Sequence, residues 1–164
     1  ILLKMEFDVD VSGEDLLSKN YTVCIANKNS IIRGFKFSVI LINSINQNYN
    51  DNKYRYKISK KGKTQLKIRL YCVVLYYLFQ DLEVPKKFKL NLCRDFDGRE
   101  NDIKSNLEYF LKDQLGISFN IQFGKLSKDS NAHRYAYLMR KDFKNKMDTY
   151  IDLDLKDLEK FLKK

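Results

Sequence analysis

Between positions 64 and 82 the chain reads Thr-Gln-Leu-Lys-Ile-Arg-Leu-Tyr-Cys-Val-Val-Leu-Tyr-Tyr-Leu-Phe-Gln-Asp-Leu, and this stretch leaves few folds open. Leu66, Ile68 and Leu70 alternate as in a strand, but the segment is too long for one strand and its second half is apolar almost all round. The reading that fits is a buried helix. Strand-like alternation stands on both sides of it. Lys87 to Arg94 sets Phe88, Leu90 and Leu92 against Lys89, Asn91 and Cys93, and the residues before position 39 form a meander of strands. A helix that carries the chain from one strand to the next makes a crossover, so the later strand must lie parallel to one of the earlier ones. The class expected is α/β.

The meander opens on Met5 to Gly13, where Met5, Phe7, Val9 and Val11 fall on one side and Glu6, Asp8, Asp10 and Ser12 on the other. Tyr21 to Ala26 and Ser30 to Ser38 read as its second and third strands, joined by the Asn27-Lys28-Asn29 turn. After the crossover strand, Ile103, Leu107, Phe110, Leu111 and Leu115 recur at helical spacing and Gly116 supplies the stop. Ile117, Phe119, Ile121 and Phe123 alternate as a fifth strand. Asp129 or Ser130 can then cap a helix carrying Ala132, Tyr135, Ala136, Met139 and Phe143 on one face. For Asp129 a capping role is preferred to a metal-ligand role. A last amphipathic helix holds Leu155, Leu158, Phe161 and Leu162.

The 164 residues suit a single domain over 1–164, with an insertion or extra element at about 39–63 and a helical extension at about 144–164. Cys24, Cys72 and Cys93 are widely spaced, odd in number and set among apolar neighbours, which argues for reduced thiols, a cytoplasmic setting and no zinc site. The longest apolar run is about half a bilayer span, and the start Ile1 to Lys4 is too short for a signal peptide, so no membrane partner is expected. The 31 Lys and Arg against 21 Asp and Glu give a net charge of +10, which favours polyanions such as nucleic acid.

Two strands end in acids followed by glycine: Asp10 before Ser12-Gly13, and Asp95 with Asp97 before Gly98. If the first and fourth strands are parallel neighbours, Asp10 and Asp95 meet at one sheet edge, the carboxyl end where open α/β sheets hold their ligands. Close carboxylates repel, and oxygen ligands of this kind suit Mg²⁺ or Mn²⁺. Asp97 equally serves the Asp-Gly turn. His133, the only histidine, falls in the first turn of its helix, where the dipole favours a neutral ring able to ligate a metal; a half-buried histidine with one hydrogen bond is the plainer alternative.

With Asp-Val-Ser-Gly closing strand one, Asp95 closing strand four and Lys128 to Ala136 opening the later helix, the chain resembles the ribonuclease H-like nucleases. Ribonucleases H, Holliday-junction resolvases and the Argonaute slicer domain belong to that superfamily. The resemblance spans about Met5 to Arg140. It implies a five-stranded mixed sheet, three antiparallel strands followed by two added through helical crossovers, with helices on its faces. It also implies a metal-dependent nuclease acting on RNA, DNA or a hybrid, with Asp10, Asp95 and His133 catalytic and Asp8, Asp10, Asp95 and His133 holding Mg²⁺ or Mn²⁺. One departure stands out: Gln65, Lys67 and Arg69 occupy the region where ribonucleases H carry a helix Glu, and two-metal chemistry needs that carboxylate. Asp8 or Glu14 is a substitute. The alternative is a non-catalytic nucleic-acid-binding or scaffold module on the same fold. Lys53, Arg55, Lys57, Lys60, Lys61 and Lys63, interleaved with Tyr54 and Tyr56, are either phosphate-gripping and base-stacking residues or a solvated loop.

Overall fold

A computed structural model describes residues 5–163. The start Ile1 to Lys4 and the last residue of the expected 1–164 domain lie outside the described residues. The strands are β1 (Glu6–Ser12), β2 (Thr22–Ala26), β3 (Ile32–Lys36), β4 (Lys87–Leu92) and β5 (Ser118–Phe123). They form one open mixed sheet in the order β3-β2-β1-β4-β5. β1 runs antiparallel to β2 and β2 antiparallel to β3, while β4 lies parallel to β1 and β5 parallel to β4. The expected α/β class and the pairing of strand one with strand four are both present. Phe7 stands opposite Leu90 and Val9 opposite Leu92 in the parallel register.

Helix α1 (Val39–Asn50) follows β3, and α2 (Lys60–Gln80) makes the crossover from β3 to β4. α3 begins as an α-helix (Glu100–Leu107) and continues in π-helical geometry (Glu108–Gln114) before Gly116, whose φ of +69° ends it in the left-handed conformation. α4 is Asn131–Lys141 and α5 is Leu155–Glu159. No helix among the described residues is long and apolar enough to cross a membrane.

One sheet face carries the main core. Phe7 and Val9 of β1 are fully buried there, and Phe7, Phe79 and Phe88 form a three-ring cluster with each pair of centroids 5.1 Å apart. α2 is buried along most of its length, as its composition requires. α4 lies on the opposite face, where Cys24, Ala136 and Met139 make a second, smaller core. Because both faces of β2 are covered, all five of its residues are buried.

The segment at 39–63 folds as α1, a short loop and the start of α2. Ser38 caps α1 by accepting from the Leu41 N–H at 3.1 Å, and Leu41, Ile42, Ile45 and Tyr49 face the core. Val39 and Ile40 look like a strand continuation, but one helical face finds a buried partner and outweighs β-branched propensity. α2 begins at Lys60, four residues earlier than the expected Thr64, behind the Ser59 cap. At Gly62 a Cβ would lie 1.9 Å from the Lys57 carbonyl oxygen, so the residue allows a close backbone approach.

The cap of α4 is Ser130 and not Asp129, which is exposed, because the chain turns into the helix one residue later. Phe143, expected on the buried face of α4, lies beyond the helix end and is 73% exposed. Past α4, the chain pairs with the free edge of β3: the Gly34 N–H donates to Thr149 O and the Ile151 N–H to Gly34 O, both at 2.9 Å. α5 opens with a reciprocal capping box between Asp154 and Asp157. Leu158 and Leu162 enter the main core, and Phe161 packs on Phe110 and Tyr76.

Gly34 sits where α4 crosses β3. A Cβ there would stand 2.4 Å from Met139 Cε, 2.6 Å from its Sδ and 2.9 Å from the Val23 carbonyl oxygen. Gly34→Ala is expected to destabilise the fold by about 1–3 kcal/mol through overpacking, with partial recovery when combined with Met139→Ala. Urea unfolding measures both, and an unchanged midpoint for the single variant refutes the close packing.

Candidate active site

Alternation along β1 sends Asp8, Asp10 and Ser12 to the face that α4 covers, and each finds a partner on that helix or its cap. Ser130 Oγ donates to Asp8 Oδ2 at 2.8 Å, His133 Nδ1 lies 2.7 Å from Asp10 Oδ2, and Arg140 Nε donates to Ser12 Oγ at 2.8 Å. Positions 130, 133 and 140 share one helical stripe, so a polar strip of the strand meets a polar strip of the helix. Asp10 is only 7% exposed, and its Oδ1 accepts from the Val11 N–H at 2.8 Å. His133 is reachable from solvent, with 58% of its side chain exposed.

Asp95 follows β4. The Cys93 N–H continues the ladder by donating to Val9 O at 3.1 Å, and Asp95 comes two residues later, at the same edge as Asp10. As a residue Asp95 is exposed, yet its Oδ2 turns inward to accept from the hydroxyl of Tyr21, a fully buried side chain. Gly13 makes that possible. Its φ is +130°, and a Cβ would sit 2.9 Å from Tyr21 Cδ2. The Asp95 carboxyl is raised above its usual range: partial burial is the main cause, the Tyr21 hydrogen bond opposes it, and the charges of Asp10 and then Asp15 add to it. Solvent on the outer side of Asp95 screens these effects. Burial and Asp95's charge push the Tyr21 hydroxyl upward in turn. The half-buried Cys93 thiol is also raised, by burial and then by Asp10.

Asp15, in the turn after β1, brings a third carboxylate close enough to affect Asp95. Burial works to raise its carboxyl, but the Lys67 ammonium at 2.6 Å, the Leu17 N–H and the charge of Lys63 together hold it below the usual range. Lys67 belongs to α2, in the region where the resemblance calls for an acid. No structural signal in the sequence marked Tyr21, Asp15 or Ser130 as site residues, although the missing helix acid marked Lys67 indirectly.

His133 is thus in contact with Asp10, and Asp95 lies near enough for the Asp10 charge to act on its carboxyl. Asp8 is occupied elsewhere: its Oδ1 accepts from Asn91 Nδ2 at 3.0 Å and its Oδ2 from Ser130, about 7 Å along the strand from Asp10 by strand geometry. Among the described residues, no three His, Cys, Asp or Glu side chains converge as a ready-made metal cage. Of the basic residues, Lys53, Arg55 and Lys57 lie in the loop before α2, and Lys60, Lys61 and Lys63 in its first turn. All are exposed except Lys63, which is half-buried. Lysines at a helix N-terminus add to the positive end of the dipole, so this tip is strongly electropositive.

Comparison with protein-family models, with curated proteins and with solved structures finds no match. The donor set still defines chemistry. Hard oxygens of Asp10 and Asp95 with an imidazole beside them suit Mg²⁺ or Mn²⁺, and Mg²⁺ commonly takes one or two carboxylates and completes its shell with water and substrate phosphate. Such a site does not require three converging protein ligands.

The fold favours the protonated form of Asp95, so the stability linked to this group is present below the ordinary carboxyl range and lost as pH rises through the raised value. At neutral pH the ionised group opposes folding. Asp95→Asn keeps an acceptor for Tyr21 and removes the charge; its melting temperature should exceed the parent's at pH 7, with the gap narrowing towards pH 4. Identical melting curves at both pH values contradict this assignment.

Proposed function

We propose that the chain is a ribonuclease H-like, metal-dependent nuclease that hydrolyses phosphodiester bonds of RNA, DNA or their hybrid. The observation that carries this reading is the contact of His133 with Asp10 near the end of β1, with Asp95 just past the end of the parallel neighbour β4 and within reach of the Asp10 charge. The strand order β3-β2-β1-β4-β5 and the position of α4 support the finer fold assignment.

In this reading Asp10 and Asp95 would hold the ion, and Mg²⁺ or Mn²⁺ there would supply a Lewis acid for the phosphate and a counter-charge for the acids. Asp10 has a second task. With His133 in the tautomer whose Nδ1–H donates to Asp10 Oδ2, the lone pair is left on Nε2, which can ligate or accept a proton from an attacking water. Tyr21 holds Asp95 by its hydroxyl, so that the carboxylate past the end of β4 does not depend on loop order alone. Val11 N–H and His133 together orient the Asp10 carboxylate.

Turnover of fluorescent RNA, DNA and hybrid substrates with Mg²⁺ or Mn²⁺ tests the reading directly. Asp10→Asn should abolish hydrolysis while leaving the fold intact by circular dichroism. Hydrolysis that survives this substitution unchanged assigns the activity elsewhere.

A second reading, a nucleic-acid-binding module without hydrolysis, is favoured by one observation: Lys67 pairs with Asp15 in the place of the helix acid. It predicts salt-dependent binding and no turnover with either metal. On both readings the electropositive tip of α2 contacts phosphates and does not read bases. Replacing Lys57, Lys60 and Lys61 together by Ala should flatten the slope of log affinity against log salt by about 2 for a single strand. An unchanged slope makes the segment a solvated surface.

A further inference from the structure

We infer that the outer face of α4 is a docking track for single-stranded nucleic acid, with a pocket that takes one unstacked base beside His133; the inference rests on the nuclease reading of that edge. The inner face of α4 is spent on Ala132, Ala136 and Met139. Its outer face carries Arg134, Tyr137, Leu138 and Lys141, spaced three and four residues apart along one side. Tyr137 is 52% exposed and Leu138 42%. An aromatic and a leucine thus stand side by side on this outer face.

These residues are not scattered. Tyr137 and Leu138 line a hollow of about 290 Å³ with Val11, Ser12, His133, Arg134 and Lys128. Its floor is the end of β1, the residues directly after Asp10, and its wall includes the imidazole that touches Asp10. A ligand in this hollow is in reach of the catalytic edge. The size is at the small end of ligand sites and suits a single ring system. Tyr137 and Leu138 offer flat apolar surface for stacking, and Lys141 Nζ stands only 5.7 Å from the Tyr137 ring centroid, an exposed cation–π contact weak enough to open.

The charge around the hollow selects the occupant. From position 125 to 146 the chain carries seven Lys and Arg against two Asp. The carboxylate of Asp142 is already engaged by the Met147 N–H and the Tyr150 hydroxyl. Lys128 and Arg134 make no ion pair with a described residue, so two cations flank the hollow and are available to phosphate. Aromatic and apolar surface for a base, cations for its flanking phosphates, and a connected hydrolytic edge are together the requirements of a single strand. A base inside a duplex would have to leave its stack to enter, at a cost of a few kcal/mol, which makes the paired form the poorer ligand.

Fluorescence anisotropy with labelled single-stranded and duplex oligonucleotides, in chelator so that no hydrolysis occurs, tests the pocket separately from catalysis. The single strand should bind more tightly than the duplex. Tyr137→Ala should weaken single-strand binding about tenfold and Tyr137→Phe should not, since stacking needs the ring and not the hydroxyl. Lys128→Ala and Arg134→Ala should each lower the salt slope by about 0.7. These side chains are solvent-facing, and circular dichroism verifies that each variant is folded. Equal affinity of Tyr137→Ala and the parent for the single strand, preference for duplex, no single-strand binding by the parent, or complete competition by a mononucleotide overturns the inference. Those outcomes leave the nuclease reading to the Asp10→Asn turnover assay, and an inactive but strand-binding protein would retain the track while removing the nuclease.

Discussion

A central strand with carboxylates on a covered face sets the terms for the whole molecule. β1 is hydrogen-bonded on both edges and covered on both faces, yet only one of its faces is apolar. Phe7 and Val9 account for the packing of α2, β4 and the phenylalanine cluster. The other face presents Asp8 and Asp10 to a helix, and a buried carboxylate without partners would cost several kcal/mol. α4 meets that demand because its hydroxyl, imidazole and guanidinium fall on one stripe. The same alignment brings α4 across β3, where only glycine leaves room for Met139. The small second core, the absence of a side chain at Gly34 and the position of His133 thus follow from one requirement.

The site uses conflict between charges where the rest of the fold avoids it. The charges of Asp10, at the end of β1, and Asp15, in the turn after it, act on Asp95 past the end of β4, and each acid has a different partner. Asp15 has a cation in Lys67; Asp95 has the Tyr21 hydroxyl, which donates without neutralising; Asp10 has a backbone N–H and the His133 ring. Hydrogen bonds orient these groups but leave the negative charge in place.

The α/β class, the parallel neighbours β1 and β4, and the common edge of Asp10 and Asp95 were all legible, because alternation and the crossover rule act on long, strongly patterned segments. α1 was not, since Val39 to Ile42 carries a strand's residue types and becomes a helix only when Leu41, Ile42, Ile45 and Tyr49 find a common core. The Ser130 cap was ambiguous because neighbouring Asp129 and Ser130 suit that position equally by type. Tyr21 could not be read at all. Its role depends on a loop returning over Gly13 and on Asp95 arriving some seventy residues later, and no local period encodes that encounter. Asp8 was placed correctly on the Asp10 face of the sheet, but the claim of Asn91 and Ser130 on its oxygens was not legible, because those partners come from distant parts of the chain.

Lys67 gives the departure from the ribonuclease H pattern a physical meaning. A fourth carboxylate from α2 would require two divalent ions to balance the edge, whereas a lysine paired with Asp15 cancels one of the three acids internally. Of the three acids, the remaining formal charge is that of Asp10 and Asp95, which one divalent ion matches. On the proposed reading this makes the edge a one-ion site by charge balance, with Lys67 as a permanent counter-charge that holds Asp15 ionised and limits its repulsion of Asp95.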